Sequence, residues 1–502
     1  MIDAALKFYS RRRRQTLADE DAVAAQERQL LALLEKAKNT KFGRDHGFSS
    51  LRSVRDFQRA VPLRRYEAMW NDYWKSPFPI LTDISWPGTV PFFAASSGTT
   101  SGTSKFIPVS HEMNRANTRA GFDLFAHHLA ARPNSRPLSG KTFMLGGSTA
   151  LVERAPGIHS GDLSGIAVQR LPWWLRGFTF PPPDVAHESD FEKKVERIIG
   201  LTKRANISVL GGTPSWLLLL FQRQAAKLGR PAHARDLYPH LELLVHGGVN
   251  FKPYRARFEA FLDGKAELRE VYAASEGFIA LQDETPNDGL RLVADNGLLF
   301  EFVPVEELDS TSPTRHTIAD AEIGVNYALV LSTCAGAFAY VIGDTVRFVS
   351  NAPPRILVTG RTSYFMSAFG EHLIGEEIEN ALAEAASKIG ITITDFSVGA
   401  EFVPAHHLYV VEFSEAPSAT AIARMSARID ENLQTRNDDY RAHRGDTSLG
   451  APQILAVPRG TFAAWMKSRG RLGGQNKVPR VINAAELFAG LKSFVAERTT
   501  PK

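Results

Sequence analysis

The stretch that decides the fold class reads SSGTTSGTSK and runs from Ser96 to Lys105. Seven of its ten residues carry a hydroxyl group, two are glycines and one is a lysine. Glycines let backbone N–H groups turn towards a ligand, hydroxyl groups donate hydrogen bonds, and a lysine adds a positive charge. The stretch therefore predicts a loop that binds phosphate groups.

Two other interpretations of this loop are weaker. A flexible linker has a similar composition, but two phenylalanines precede the loop and Ile107–Val109 follows it, which favours a loop fixed between two strands. A Walker A loop places its lysine directly after the second glycine, whereas Lys105 lies three residues beyond Gly102. The spacing therefore indicates a phosphate loop of a different class.

Short apolar stretches that lead into paired glycines alternate with helical patterns. Three such stretches are Thr142–Leu145 before Gly146-Gly147, Ile207–Leu210 before Gly211-Gly212, and Leu241–Val245 before Gly247-Gly248. Strands that alternate with helices predict an α/β fold with much parallel pairing. Ligands of such sheets bind where loops leave the carboxyl ends of the strands, so we expect the glycine pairs to border a ligand cleft.

We predict two domains, a large one over residues 1–360 and a small α+β one over residues 361–502. Asn351–Val358 and the following Gly360-Arg361 have the pattern of a closing edge of the large domain. The predicted elements beyond it are the helices Glu376–Ala386 and Ala421–Leu433 and the strands Phe396–Val398 and Leu408–Phe413. These elements are enough for a separate small core.

The chain has 502 residues, of which 44% are hydrophobic and 23% are charged, as in globular proteins with a large core. Cys334 is the single cysteine, so the chain cannot form an internal disulfide or a cysteine-based zinc site. We therefore expect a reducing, cytoplasmic location. The apolar segment Tyr327–Gly343 is shorter than the roughly 20 residues of a membrane-spanning helix. It predicts two buried strands around a turn at Cys334–Gly336, with no membrane insertion.

The net charge of +5 is small for this length and does not favour nucleic-acid binding. The basic run Arg11–Arg14 predicts a solvated face next to a helix. The 14 histidines form no HExxH motif, and Gly146–Ala150 only approaches the GxSxG elbow of hydrolases. No GxGxxG follows a strand, which argues against a dinucleotide cofactor.

Four further segments carry weaker signals. In Tyr272–Gly277, small residues surround an aromatic ring and a carboxylate that suits Mg²⁺. In Tyr340–Asp344, the aspartate is placed to accept hydrogen bonds from a ribose diol. Gly360-Arg361 and the glycine-rich Gly473–Arg480, which contains Lys477, are the others. Each of them also fits an ordinary surface turn.

Taken in order, these segments resemble the motifs of the adenylate-forming superfamily of acyl-CoA synthetases, peptide-synthetase adenylation domains and luciferases. The first is similar to the SSGTSxGxxK of the auxin-responsive acyl-acid amido synthetases, the Gretchen Hagen family, with Thr100 at its third serine. Tyr272–Glu276 resembles their YASSE, with Ala274 at the first serine, and Tyr340–Asp344 resembles their YRVGD, with Val341 at the arginine. The resemblance covers essentially the whole chain.

The resemblance implies an adenylate-forming enzyme fold, with a large multi-sheet α/β N-terminal domain and a small mobile α+β C-terminal domain. It implies that Lys477 is the catalytic lysine and that Glu276 binds Mg²⁺. The residues that it assigns to ATP are Ser96, Ser97, Gly98, Thr99, Thr100, Lys105, Gly248, Val249, Tyr272, Ala274, Ser275, Asp344 and Arg361.

The resemblance also implies an activity. The protein would activate a carboxylic acid with ATP and Mg²⁺ as an acyl-adenylate and transfer the acyl group to an amine, with an amino acid as the expected acceptor. The alternatives are a ligase that uses coenzyme A or a carrier thiol as the acceptor, and a non-enzymatic binding protein. The aromatic residues Trp173, Trp174, Phe178 and Phe180 fit either an acyl pocket or the core.

Overall fold

The computed structural model describes residues 2–97, 104–171, 175–188, 190–249, 251, 254–283, 289–362, 365–366, 368–369, 371, 373–446, 448–472 and 477–499. Among these residues, those up to Val358 form one compact unit and those from Thr359 onward form a second. The assignment of domains to residues 1–360 and 361–502 stays a prediction.

The first unit contains two sheets, a large mixed one and a smaller one. Its strands are β1 (Phe92–Ser97), β2 (Ser104–Val109), β3 (Lys141–Leu145), β4 (Val152–Ala155), β5 (Ile158–Gly161), β6 (Thr179–Phe180), β7 (Ile207–Gly212), β8 (Leu243–Gly247), β9 (Glu267–Ala274), β10 (Gly277–Leu281), β11 (Leu290–Leu292), β12 (Leu298–Pro304), β13 (Asn326–Thr333), β14 (Tyr340–Asn351) and β15 (Pro354–Arg361). Among the described strands, the large sheet has the order β12-β13-β14-β15-β11-β10-β9-β8-β7-β3-β6.

One half of this sheet is parallel and the other half is antiparallel. Strands β9, β8, β7, β3 and β6 pair in parallel, while β9, β10, β11 and β15, and likewise β12, β13 and β14, pair antiparallel. The predicted α/β fold is therefore confirmed. Because β3, β7 and β8 run in the same direction, the three glycine pairs that end them lie at one edge of the sheet.

Helices pack around the sheets of this unit. They are α1 (Ile2–Ala18), α2 (Ala22–Ala37), α3 (Lys41–Asp45), α4 (Val54–Ala60), α5 (Tyr66–Met69), α6 (His111–Ala131), α7 (Leu163–Gln169), α8 (Pro183–Ala186), α9 (Phe191–Thr202), α10 (Pro214–Leu228), α11 (Ala234–Leu237) and α12 (Arg255–Leu262). Asp21 begins α2 by accepting the N–H groups of Val23 and Ala24 at 3.0 and 3.1 Å, which satisfies backbone donors that the helix itself cannot.

A smaller sheet of the first unit has the order β2-β1-β5-β4. Strands β1 and β2 pair antiparallel, from Phe92 opposite Val109 to Ser97 opposite Ser104. The apolar residues on both sides of the predicted phosphate loop are thus two strands of one hairpin, as expected. Residues 98–103, between these strands, lie outside the described residues.

The second unit has its own sheet and cores. Its elements are β16 (Phe365–Met366), β17 (Leu373–Ile374), α13 (Gly375–Ile389), β18 (Ile393–Phe402), β19 (Ala405–Phe413), α14 (Ala419–Arg436), α15 (Asp438–Gly445), β20 (Gln453–Val457), α16 (Thr461–Ser468) and α17 (Ala485–Thr499). In the order β18-β19-β20, β18 and β19 are antiparallel, and β19 and β20 are parallel. Separate apolar clusters contain Tyr409 and Val411 on the one hand and Val410 on the other, because successive side chains of a strand point to opposite faces.

The apolar segment Tyr327–Gly343 forms parts of β13 and β14 with a turn at Cys334 between them, as predicted. Cys334 is buried, and burial raises the pKa of its thiol to about 12, so it is not a reactive thiolate at neutral pH.

Across the described part of the chain, no helix combines the length and apolar character that crossing a bilayer requires.

The basic run is a solvated face, as predicted, at Arg11, Arg12 and Arg14, which are exposed, but not at Arg13. It belongs to α1, and Arg13 donates to both carboxylate oxygens of Asp123 at 2.8 and 2.9 Å and to Asp295 at 3.0 Å. Only 1% of the Asp123 side chain is exposed, and a buried carboxylate requires a partner of opposite charge. Arg13 therefore attaches α1 to α6, whereas Arg11 and Arg12 are exposed.

A buried ion pair stabilises the antiparallel half of the sheet. Arg315 donates to both carboxylate oxygens of Glu301 on β12 at 3.0 and 2.9 Å, and to the carbonyl oxygens of Gln58 and Val61 at 3.0 and 2.6 Å. Glu301 is fully buried. We predict that Arg315→Met lowers the free energy of unfolding by about 3–5 kcal/mol, because it leaves a buried carboxylate without its partner.

The matched control is Arg65→Met. Arg65 pairs with Asp309 at 2.8 Å, but the two side chains are 54% and 90% exposed, and exposed ion pairs contribute at most about 1 kcal/mol. Urea denaturation of both variants measures the difference. Equal losses of stability in the two variants would contradict the burial argument.

Candidate active site

Several predicted site residues of the first unit lie at the carboxyl ends of β8 and β9. Gly247, the last residue of β8, pairs with Val271 on β9. A Cβ atom at Gly247 would lie 2.1 Å from the carbonyl oxygen of Val271, so only glycine allows this approach. Gly248 follows with φ = 85°, a left-handed conformation that glycine adopts without strain. The chain thus leaves β8 beside Tyr272 on β9.

Tyr272 and Asp344, both predicted for the nucleotide, contact each other directly. The hydroxyl group of the buried Tyr272 donates to Oδ2 of Asp344 on β14 at 2.6 Å. Asp344 is half-buried, and each carboxylate oxygen can accept more than one hydrogen bond. The contact fixes one oxygen of the Asp344 carboxylate.

A second tyrosine hydroxyl group donates a hydrogen bond to Glu276. Tyr340, the first residue of β14, is 2% exposed and donates to the Glu276 carboxylate. Burial and then the negative charge of Glu276 raise the pKa of Tyr340 well above its ordinary value, so the phenol stays protonated and remains a donor. Glu276 itself is half-buried in the turn between β9 and β10.

These two hydrogen bonds require a curled sheet. In the strand order, β15, β11 and β10 separate β14 from β9, so a flat sheet would hold β9 and β14 roughly 19 Å apart at the usual spacing of about 4.8 Å between strands. The distance of 2.6 Å between Tyr272 Oη and Asp344 Oδ2 is possible only because the sheet curls. Ile279, Leu292 and Ile356 from the intervening strands lie in one buried apolar cluster, which fills the inside of the curve.

The entry into β14 is strained and fixed by hydrogen bonds. Ala339, directly before Tyr340, has φ = 44°, a conformation that costs free energy in a residue with a Cβ atom. Its N–H group donates to Ser332 Oγ at 2.9 Å, and its carbonyl oxygen accepts from the N–H group of Arg64 at 2.9 Å. These bonds compensate the strain and set the direction in which Tyr340 leaves the turn.

Lys105 lies on β2, next to residues that the site prediction missed. Its Nζ atom is 3.5 Å from Glu67 Oε1 and 5.0 Å from the centre of the Tyr66 ring. Tyr66 Oη accepts the N–H group of Phe106 at 3.0 Å, so α5 holds the beginning of β2. The aromatic and basic composition around Tyr66 was the available signal, but it does not reveal which strand the residues contact.

The structure describes only some of the remaining predicted site residues. Ser96 and Ser97 end β1, with backbones paired to Lys105 and Ser104, and their side chains are outside the described set. Gly98, Thr99 and Thr100 lie outside the described residues, as do Trp173 and Trp174. Three assigned residues lie at the ends of β8 and β9: Val249 after β8, Ala274 at the end of β9, and Ser275 in the turn that follows.

Two assigned residues belong to the second unit, among them Arg361, because the boundary after Val358 falls within β15. Arg361 is the half-buried last residue of β15, and Lys477 is exposed and lies between α16 and α17.

Of the two phenylalanines suggested for an acyl pocket, Phe180 is buried on β6 with its ring centre 5.0 Å from that of Phe143. Phe180 is therefore a core residue, whereas Phe178 is half-buried.

Glu276 fits the requirements of Mg²⁺ beside a nucleotide. No cluster of three or more potential metal ligands exists among the described residues. Mg²⁺ that accompanies phosphates is bound by one or two carboxylates, together with phosphate oxygens and water, so a single carboxylate is sufficient. Glu276 has that carboxylate, oriented by the Tyr340 hydroxyl.

Solved structures define the class of the fold. Two structures of a GH3.15 acyl acid amido synthetase, one of them in complex with 2,4-DB, superpose with TM-scores of 0.77 and 0.79, at 19% and 18% identity. Both superpositions cover 95% of this chain and 94% of the other. A 2-hydroxyisobutyryl-CoA ligase in its postadenylation state superposes with a TM-score of 0.63 at 16% identity, over 94% of this chain and 91% of the other. The fold is that of the adenylate-forming enzymes.

The chain belongs to the GH3 family. Family models described as the GH3 N-terminal, central and C-terminal domains match residues 11–224, 291–361 and 376–486. The indole-3-acetic acid-amido synthetase GH3.3 of Arabidopsis thaliana is 26% identical over 51% of this chain and 45% of its own length. The jasmonoyl-L-amino acid synthetase JAR4 of Nicotiana attenuata is 21% identical over 93% of this chain and 92% of its own length. In the matches to the auxin-conjugating relatives such as GH3.3, the chain spans about half of the relative's length.

The two tyrosine–carboxylate contacts predict different effects on nucleotide binding. Tyr340→Phe removes the donor to Glu276, and we expect the Mg²⁺ concentration that gives half of the maximal ATP affinity to rise about tenfold, as when the partner of a metal ligand is lost. Tyr272→Phe removes the donor to Asp344 and should weaken ATP binding equally at all Mg²⁺ concentrations.

Isothermal titration calorimetry of both variants across a series of Mg²⁺ concentrations separates these effects. Each variant serves as the control for the other, since both replace a buried tyrosine by phenylalanine. The same change in Mg²⁺ dependence in both variants would refute separate roles for the two carboxylates.

Proposed function

We propose that this protein is an acyl-acid amido synthetase that activates a carboxylic acid with ATP and joins it to an amino acid. The observation that carries the proposal is the pair of contacts that present Asp344 and Glu276 beside the glycine-lined end of β8. The names of the relatives support it, because GH3.3 is named an indole-3-acetic acid-amido synthetase and JAR4 a jasmonoyl-L-amino acid synthetase.

We propose that the adenosine lies at the ends of β8 and β9. Gly248 and Val249 would border the adenine together with Tyr272, Ala274 and Ser275. The carboxylate of Asp344 would accept hydrogen bonds from the ribose hydroxyl groups, with Arg361 as a second contact.

The phosphates would lie along the hairpin of β1 and β2. The loop that begins at Ser96 and Ser97 and continues through Gly98, Thr99 and Thr100 would donate to phosphate oxygens, and Lys105 would add a positive charge. Mg²⁺, bound by Glu276, would neutralise part of the triphosphate charge.

The first half-reaction joins two anions. A carboxylate oxygen of the acid attacks the α-phosphorus of ATP, and the bond to pyrophosphate breaks, which leaves the acyl-adenylate. The two reactants repel each other, so the site needs cations where the negative charge accumulates. We assign this role in the reaction to Lys105 and Lys477.

The second half-reaction transfers the acyl group. The amine nitrogen of the acceptor attacks the carbonyl carbon of the acyl-adenylate, AMP leaves with the electron pair of the broken bond, and the amine loses a proton. A thiol acceptor would follow the same course and give a thioester. The likeness of the fold to a CoA ligase keeps that acceptor as the second candidate.

The expected partners are small molecules, a carboxylic acid and an amine. A cytoplasmic location is part of the proposal, supported by the single buried cysteine, because reducing compartments keep thiols free.

Product analysis tests the proposed function. The protein is incubated with ATP, Mg²⁺, a panel of aryl and alkyl carboxylic acids, the twenty amino acids and coenzyme A, and the products are identified by mass spectrometry. We expect an acyl-amino acid together with AMP and pyrophosphate. A thioester would select the second candidate, and the absence of any acid-dependent AMP would refute both.

Lys477→Ala tests the assignment of the catalytic lysine in the same assay. We expect acid-dependent pyrophosphate release to fall by at least about a hundredfold, in the range of losses when a charge-stabilising group is removed. Amide formation from a supplied acyl-adenylate should fall much less. Equal losses in the two half-reactions would contradict the role of Lys477.

A further inference from the structure

A cavity of about 870 Å³ lies at the opposite end of the large sheet from the candidate active site. Among the residues that line it are Arg269 near the start of β9 and Asn351 at the end of β14. Asp344 lies seven residues before Asn351 on the same strand, a distance of roughly 23 Å at the usual rise per residue. The cavity is therefore separate from the predicted nucleotide site, and its volume is within the range of sites for small molecules.

Most of the charges that line the cavity form pairs with each other. Arg355 donates to both carboxylate oxygens of Asp283 at 3.1 and 2.8 Å. Arg291 approaches Glu20 at 3.5 Å and donates to the carbonyl oxygen of Leu17 at 2.6 Å. These pairs contribute no net charge to the cavity.

Arg14 differs from the other arginines of the cavity. It lines the cavity from α1 and is exposed, and within the part of the chain that the structure describes it forms no hydrogen bond or ion pair. The neighbouring Arg13 is bound to Asp123, so the helix that carries Arg14 is held in place. The cavity can therefore accept one negative charge at Arg14 without disturbing an existing pair.

His127 is the second polar group that is available to a ligand. It lines the same cavity from α6 and is 9% exposed, and its ring forms no hydrogen bond with another described residue. Burial, and in addition the charges of Arg291, Arg269 and Arg14, lower the pKa of His127 to about 4, whereas Asp283 acts in the opposite direction. The ring is therefore neutral at pH 7, and one of its nitrogens carries a proton that it can donate.

The rest of the lining is suited to an apolar group. Leu17, Val23, Ile318 and the adjacent prolines Pro353 and Pro354 contribute to it. The carboxylate of Asp21 also lines the cavity, and it would repel a ligand with several negative charges. The chemistry thus favours a monoanion with an apolar body.

We propose that this cavity is a second binding site, which takes a small monocarboxylate with an apolar body, bound through its carboxylate by Arg14 and His127. The site is independent of the proposed function, since none of its residues belongs to the predicted nucleotide site.

Isothermal titration calorimetry of the full chain with 2-naphthoate tests the proposal. We expect saturable binding that Arg14→Gln weakens by about tenfold or more, the effect of losing one charge-assisted hydrogen bond. Arg11→Gln is the matched control, because Arg11 is exposed on the same helix and does not line the cavity. The neutral 2-naphthamide should bind more weakly than 2-naphthoate to the unaltered protein.

A second variant distinguishes binding inside the cavity from an indirect effect of removing the Arg14 charge. Ala130 lines the cavity and is half-buried, so Ala130→Phe should reduce 2-naphthoate binding by filling the space. The absence of saturable binding would overturn the proposal. Binding that Arg14→Gln and Ala130→Phe both leave unchanged would overturn it as well, because 2-naphthoate would then bind elsewhere in the protein.

Discussion

Two hydrogen bonds between the ends of β9 and β14 determine the candidate active site. Tyr272 on β9 donates to Asp344 on β14, and Tyr340 on β14 donates to Glu276 in the turn after β9. Each segment supplies one tyrosine and one carboxylate, so neither carboxylate is fixed unless the two segments meet. The strand order places three strands between them, and the curl of the sheet is therefore a condition for the site.

Other features of the first unit are consistent with the curl of the sheet. The apolar cluster inside the curve includes side chains of the intervening strands, and the strained backbone at Ala339 is held by two hydrogen bonds directly before Tyr340. Glycine at position 247 lets β8 approach β9 closely. The apolar cluster and the two hydrogen bonds at Ala339 act on the strands next to the two carboxylates, so they help to set the positions of Asp344 and Glu276.

Local patterns in the sequence were sufficient for the parts of the fold that depend on neighbouring residues. The strands before the glycine pairs, the hairpin around the predicted phosphate loop and the two strands around Cys334 are confirmed. The contact of Tyr272 with Asp344 could not be predicted from its residues, because it depends on the curvature of a sheet whose strands are far apart in sequence. Arg13 was misjudged for the same reason, since its partner Asp123 lies on another helix.

The central claim is that the Asp344 carboxylate, oriented by Tyr272, binds the ribose hydroxyl groups of ATP. The most direct measurement compares the affinities for ATP and 2′,3′-dideoxy-ATP in the unaltered protein and in Asp344→Asn. A hydrogen bond to a charged group contributes about 1.5–3 kcal/mol, so the unaltered protein should bind the dideoxy nucleotide at least about tenfold more weakly than ATP. Asp344→Asn should bind both nucleotides with nearly equal, reduced affinity. If the loss on removing the hydroxyl groups is the same in both proteins, Asp344 does not bind the ribose.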